Sequence, residues 1–126
     1  MRIIGIETLI AAHGESLELF GGAAGIRDRG VIEAALGRAD HLAAYGDSLD
    51  VIDIAAATAA SVCRAHGFID GNKRAAFITL VVTLQLNGHY LDAEEKDAAD
   101  AVLRLAAGEI SENAFRDWVR AHAVDD

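Results

Sequence analysis

The stretch His66-Gly67-Phe68-Ile69-Asp70-Gly71-Asn72-Lys73-Arg74 collects a set of chemistry-bearing side chains within nine positions. Strongly apolar segments flank it, residues 51–65 (VIDIAAATAASVCRA) before and 75–86 (AAFITLVVTLQL) after. Polar groups set between two core-forming segments must be satisfied by hydrogen bonds, water or a ligand. Asp70, Gly71 and Asn72 are turn and N-cap residue types, and the apolar run after them has helical length and spacing. Residues 71–74 then form a helix's first turn, whose N–H groups lack intrahelical partners and carry the positive end of the dipole. Such a turn attracts anions.

Lys73 and Arg74 add a point charge and a planar fork at the same place, both suited to phosphate oxygens. Two cations there oppose the helix dipole, a conflict that a bound anion resolves. Gly71 leaves the backbone open to a ligand, and Asn72 is placed to cap the turn or bind a phosphate. His66 is the residue type that accepts a proton near neutral pH, which makes it the candidate general base. Asp70 is a candidate to orient that imidazole or to hold a Mg²⁺ that bridges phosphates. Phe68 is expected to point inward and anchor the loop. Taken singly, a histidine at a helix end is a cap and a Lys-Arg pair is solvated surface. Together, a base, an anion site, two cations and a carboxylate are equipment for moving a phosphoryl or nucleotidyl group from a nucleoside triphosphate to a hydroxyl.

The stretch resembles the Fic/Doc motif, His-x-Phe-x-(Asp/Glu/Asn)-(Gly/Ala)-Asn-x-Arg. The likeness runs along nearly the whole chain, through Gly25-Ile26-Arg27-Asp28-Arg29-Gly30 and Gly108-Glu109-Ile110-Ser111. Two positions depart from the adenylylating Fic branch: Gly67 stands for a Pro, and Lys73 for a Gly. The Lys is similar to the Doc (death-on-curing) branch, in which the nucleotide lies reversed and the γ-phosphate is transferred. The resemblance therefore implies a toxin of a toxin–antitoxin module, a kinase that uses ATP and Mg²⁺ to phosphorylate a Thr of elongation factor Tu and halt translation. It implies catalytic roles for His66 and Asp70, with Asp70 orienting the base or holding the Mg²⁺, and phosphate-binding roles for Gly71, Asn72, Lys73 and Arg74. Adenylyl transfer is the runner-up, and a catalytically silent partner-binding domain a third reading. No Ser/Thr-x-x-x-Glu-(Gly/Asn) inhibitory pattern occurs in the chain. Restraint is thus expected from a separate antitoxin, whose C-terminal segment would fold into a hydrophobic groove near the first helix and the 20–30 loop.

The rest of the chain must position this stretch. Its 126 residues are expected to form one Fic/Doc domain, residues 1–126. Apolar residues make up 52% and aromatics 6%, with abundant Ala, which favours close-packed helices over a sheet. Neither a signal peptide nor a membrane span is legible, so a soluble, cytoplasmic protein is expected. The net charge of −9 argues against direct nucleic-acid binding and makes a local basic cluster more informative. Cys63 reads as a small core hydrophobe. His13, His41, His89 and His122 are expected on helix surfaces or ends, without clustered partners.

Periodicity places a first helix at residues 7–19, ended by Gly21-Gly22. A second, capped by Asp28, presents Val31, Ile32, Ala35, Leu36, Ala39 and Leu42 and ends at Tyr45-Gly46-Asp47. A third starts at Ser48 or Asp50 and runs to about Ala65. The fourth, about 72–87, is apolar nearly all round and should be the buried central element. His89–Leu91 reads as a connector, and Asp92 with Glu95 as a capping box for a fifth helix ending near Gly108. Ser111 caps a sixth that turns Phe115, Trp118 and Val119 inward, and Asp125-Asp126 reads as a frayed tail. The expected fold is all-α, a six-helix Fic-like bundle with no strand.

Overall fold

Six helices carry the apolar periodicity into three dimensions in the computed structural model, which describes residues 1–45 and 48–126. They are α1 (Ile6–Phe20), α2 (Arg29–Tyr45), α3 (Val51–Ala65), α4 (Asn72–Leu86), α5 (Glu95–Ala106) and α6 (Glu112–His122). The expected α2 terminator falls partly on residues 46 and 47, outside the described residues.

The helix ends follow local chemistry. Gly21 closes α1 with φ +90°, its N–H donating to Leu17 O. Asp28 Oδ1 accepts from Val31 N at 3.3 Å at the head of α2. Asp50 and Asp53 form a reciprocal capping box on α3, a feature the sequence reading did not specify. Ser111 Oγ caps α6 by accepting from Ala114 N at 3.0 Å. Arg120 hydrogen-bonds both Asp50 and Asp53, which ties α6 to the start of α3 and holds the Asp50 carboxyl down at about 2.

α3 and α4 lie back to back at the centre. Small residues on α3 (Ala55, Ala56, Ala59, Ala60) let α4 approach closely, and Leu80, Leu84, Val102, Phe115 and Val119 complete that half of the core. The other half joins Leu9 of α1 and Ile32 and Leu36 of α2 to Val62, Phe68 and Ala75, and so carries the motif loop. The core threonines are satisfied: Thr58 and Thr79 donate to the carbonyls four residues back at 2.7 and 2.8 Å.

Four expectations are corrected. His89–Leu91 is not a plain connector but a strand, β1, paired antiparallel with β2 (Ala123–Asp125) in the register Tyr90↔Val124. The pairing extends at both ends, through Asp92 N to His122 O and Asp126 N to Gly88 O, so the tail is held rather than frayed. Because Asp92 is taken by that ladder, no Asp92–Glu95 capping box forms. α5 instead begins after Glu94 without a side-chain cap. Finally, α4 is central but not enclosed: Phe77, Ile78, Val81 and Val82 line an open groove.

Candidate active site

The motif loop bridges the C-terminus of α3 and the N-terminus of α4. His66 is the C-cap of α3 and adopts the left-handed conformation at φ 49°, ψ 44°, the only non-glycine residue with positive φ among those described. Its side chain is exposed and makes no hydrogen bond with the protein among the described residues. Its carbonyl accepts from Arg27 Nε at 2.6 Å, and Arg27 Nη2 reaches Ala65 O at 3.3 Å. Arg27 thus caps α3 from outside and fixes the backbone that aims the imidazole.

Residues 25–28 staple the loop. Arg27 N and Asp28 N both donate to Gly67 O, Ile69 N donates to Gly25 O, and Ile26 pairs with Phe68. Gly67 has no room for a side chain, since an added Cβ would sit 2.2 Å from Ile32 Cγ1. Phe68 is 2% exposed, as expected of an anchor. Both polar atoms of the Asn72 side chain are engaged by Phe68: Oδ1 accepts from Phe68 N and Nδ2 donates to Phe68 O, each at 3.0 Å. The Asn72 amide therefore shapes the loop, leaving its backbone N–H at the helix start.

Asp70 does not touch His66. Its carboxylate accepts from Ala23 N at 3.1 Å and Gly71 N at 2.8 Å. The Ala23 and then the Gly71 hydrogen bond hold its carboxyl below the usual range, so it is ionised at neutral pH. Gly71 is the N-cap of α4 at φ +75°, ψ 28°, a left-handed geometry that glycine adopts without strain. Its carbonyl accepts the first helical bond, from Ala75 N, so the N–H groups of Asn72, Lys73 and Arg74 point out of the turn. Lys73 is exposed there and makes no hydrogen bond or ion pair among the described residues. Arg74 donates to Ser16 Oγ at 3.0 Å and lies 4.8 Å over the Phe20 ring.

His13 departs from expectation. It is 3% exposed, beneath the loop, with Nε2 2.8 Å from Asp70 O and its ring stacked on Phe68 at 3.9 Å. The signal for its burial was legible, because Leu9, His13 and Leu17 follow one another at four-residue spacing on the inward face of α1. Cys63 is buried, which raises its thiol pKa.

A Mg²⁺ fits this site only in one mode. Among the described residues no three His, Cys, Asp or Glu side chains converge to cage a metal. Asp70 alone supplies an exposed, ionised carboxylate whose oxygens keep lone pairs beyond the two N–H contacts. A one-carboxylate site whose other ligands are phosphate oxygens and water is ordinary for Mg²⁺.

From Asp70, Gly71, Lys73 and Arg74 an apolar groove of about 700 Å³ runs between α1, α4 and α5. Leu17 and Phe20 form one wall, Phe77, Ile78 and Val81 the floor, and Leu103 the far side.

A left-handed histidine at the end of α3, a clamped loop and a cationic first turn of α4 define a class of protein, and comparison with known sequences identifies it. The Fic/DOC family model matches residues 3–84, which cover α1 to α3, the whole motif loop and most of α4, and the chain belongs to the Fic/Doc family. It is 34% identical over 120 residues to "Protein kinase doc" of Escherichia phage P1, covering 95% of this chain and 94% of that protein. It is 36% identical over 91 residues to "Toxin Doc" of Mycolicibacterium smegmatis, covering 70% of this chain and 69% of that one. No helix among the described residues is long and apolar enough to cross a membrane.

Proposed function

We propose that the chain, acting as one Fic/Doc domain over residues 1–126, is a cytoplasmic Doc-type toxin. Its reaction is transfer of the ATP γ-phosphoryl group to a threonine hydroxyl of elongation factor Tu. The observation that carries this reading is Lys73, exposed in the first turn of α4 where the AMP-transferring branch has glycine. A lysine there fills the space an α-phosphate would need, yet places its charge beside the outward N–H groups of α4. The relatives' names, a protein kinase and a toxin, agree with it.

In the reaction His66 takes the proton of the acceptor hydroxyl as its oxygen attacks the γ-phosphorus. The bond from that phosphorus to the β–γ bridging oxygen breaks, ADP leaves, and the imidazolium returns its proton to solvent. The N–H groups of residues 72–74, with Lys73 and Arg74, neutralise the phosphate oxygens, the larger share of catalysis in such transfers. Arg74 would exchange Ser16 for phosphate. A Mg²⁺ on Asp70 would supply charge to the phosphates.

The test is a transfer assay with ATP labelled at the γ- or the α-phosphate, with elongation factor Tu as acceptor. Label is expected from the γ position alone, and Lys73→Gly is expected to lower it and to admit α-label. Label from the α position in the unaltered protein would make it an adenylyltransferase. Label from neither position, with growth inhibition intact in His66→Ala, would make it a silent binding domain.

The antitoxin's C-terminal segment is proposed to fill the groove between α1, α4 and α5, whose apolar floor suits an amphipathic helix. The groove's mouth includes Phe20 and Arg74, so an occupant also shields the phosphate site. Replacing Leu17 and Phe20 together by Ala is expected to weaken antitoxin binding by about 10- to 100-fold, since anchor truncations cost about 1–3 kcal/mol. Calorimetry with a synthetic antitoxin peptide reads this, and an unchanged affinity would place the segment elsewhere.

A further inference from the structure

We infer that His13 is a positioning residue that sets the orientation of the Asp70–Gly71 peptide and, through it, the anion site. The inference rests on the phosphoryl-transfer reading above.

His13 occupies an inward-facing position of α1 between Leu9 and Leu17, all three buried. An imidazole there is costly unless its polar atoms are bonded. Nε2 lies 2.8 Å from Asp70 O. A carbonyl only accepts, so Nε2 carries the hydrogen. The ring is stacked on the Phe68 anchor at an interplanar angle of 26°. The backbone crosses it so closely that a Cβ on Gly71 would sit 2.9 Å from Nε2.

The consequence follows from peptide geometry. In a trans peptide the C=O and N–H point in opposite directions. With Asp70 O turned inward to His13, the Gly71 N–H must point outward, and it does, donating to Asp70 Oδ1 at 2.8 Å. That N–H holds the carboxylate, and the three N–H groups of the α4 turn follow it. Glycine at 71 is permissive, so nothing in its own sterics prevents the preceding peptide from turning over. A flipped peptide would present a carbonyl oxygen to the phosphates and release Asp70. The hydrogen bond from His13 selects the orientation that receives an anion. His13 itself is buried beneath the loop and acts only through residues 70 and 71.

The test separates this from a packing role. His13→Phe keeps a ring against Phe68 and loses the donor, while His13→Gln restores an N–H at comparable reach. By calorimetry, His13→Phe is expected to bind MgATP about 10-fold more weakly, the loss of one buried hydrogen bond. Its kcat/KM for MgATP should fall at least as far, with KM for the protein acceptor unchanged, and His13→Gln should recover most of both. Hydrogen exchange supplies a readout that needs no activity: the Gly71 amide, bonded to Asp70 Oδ1, should exchange faster in His13→Phe than in the parent or His13→Gln. If His13→Phe does not fold, His13→Met, flexible enough to fill the space without a donor, replaces it. Wild-type ATP affinity and amide protection in the donorless variant, or a Gln variant no better than Phe, overturns the inference. A parent protein that neither binds MgATP nor transfers label sinks the kinase reading, and the exchange comparison then decides the role of His13 alone.

Discussion

His66→Ala is expected to lower the rate of phosphoryl transfer by about two to four orders of magnitude, the usual worth of a positioned general base. Little else should change, because the His66 side chain is exposed and packs into neither half of the core. The hydrogen bonds from Arg27 go to the main-chain carbonyls of His66 and Ala65, and survive the substitution. One complication is conformational. A left-handed residue is tolerated better as Asn than as Ala, so His66→Asn is the control that keeps the backbone and removes the base. Single-turnover transfer at saturating ATP, with a urea midpoint for each variant, reads the effect. Both variants should fold and both should be slow. A rate within about tenfold of the parent in either one would remove His66 from the role of base, since a lost base costs more than that.

The motif was legible because its chemistry is contiguous. Residues 66–74 join α3 to α4 within one loop and one helical turn, and turn and cap preferences are local. Helices were legible for the same reason: the row Ile32, Ala35, Leu36, Ala39 on α2 and the Ser111 cap on α6 involve neighbours within one or two turns. What escaped depends on partners far along the chain. The β1–β2 ladder joins residue 90 to residue 124 through two three-residue strands, too short to show a period of their own. The same ladder took Asp92, whose local pattern pointed to a cap. His13 finds Asp70 across 57 positions, and Arg27 finds His66 across 39. Neither partner can be read from spacing. Asn72 was legible as a polar residue at a helix start, but its pairing with Phe68 needs the loop to close first. The open side of α4 was hidden by composition, because a helix apolar all round reads the same whether a groove or a neighbour covers it.

Gly67→Ala is expected to destabilise the protein by about 1–3 kcal/mol, the range for forcing extra atoms into a filled space. The reason for Gly at this position, where the adenylylating branch has Pro, lies in α2 rather than in the reaction. A Cβ at position 67 would fall 2.2 Å from Ile32 Cγ1, 3.0 Å from Ile32 Cδ1 and 3.2 Å from Asp28 O. Ile32 is 1% exposed and has no free direction in which to move. The strain must then pass to the 25–28 staple, because Gly67 O holds both Arg27 N and Asp28 N. Arg27 in turn holds His66 O, so the substitution should also slow transfer. Gly67→Pro should be worse, because a residue before proline is disfavoured in helical conformations and His66 sits at φ 49°, ψ 44°. A double-mutant cycle assigns the cause. Ile32→Ala alone costs about 2–5 kcal/mol as a cavity, but it removes the atoms that the methyl group introduced by Gly67→Ala would meet. The double variant should therefore be more stable than the sum of the singles by about 0.5–3 kcal/mol, the coupling found for residues in contact. Urea unfolding of the four proteins measures it. Strict additivity would mean that Gly67 is required by something other than the underside of the loop resting on Ile32.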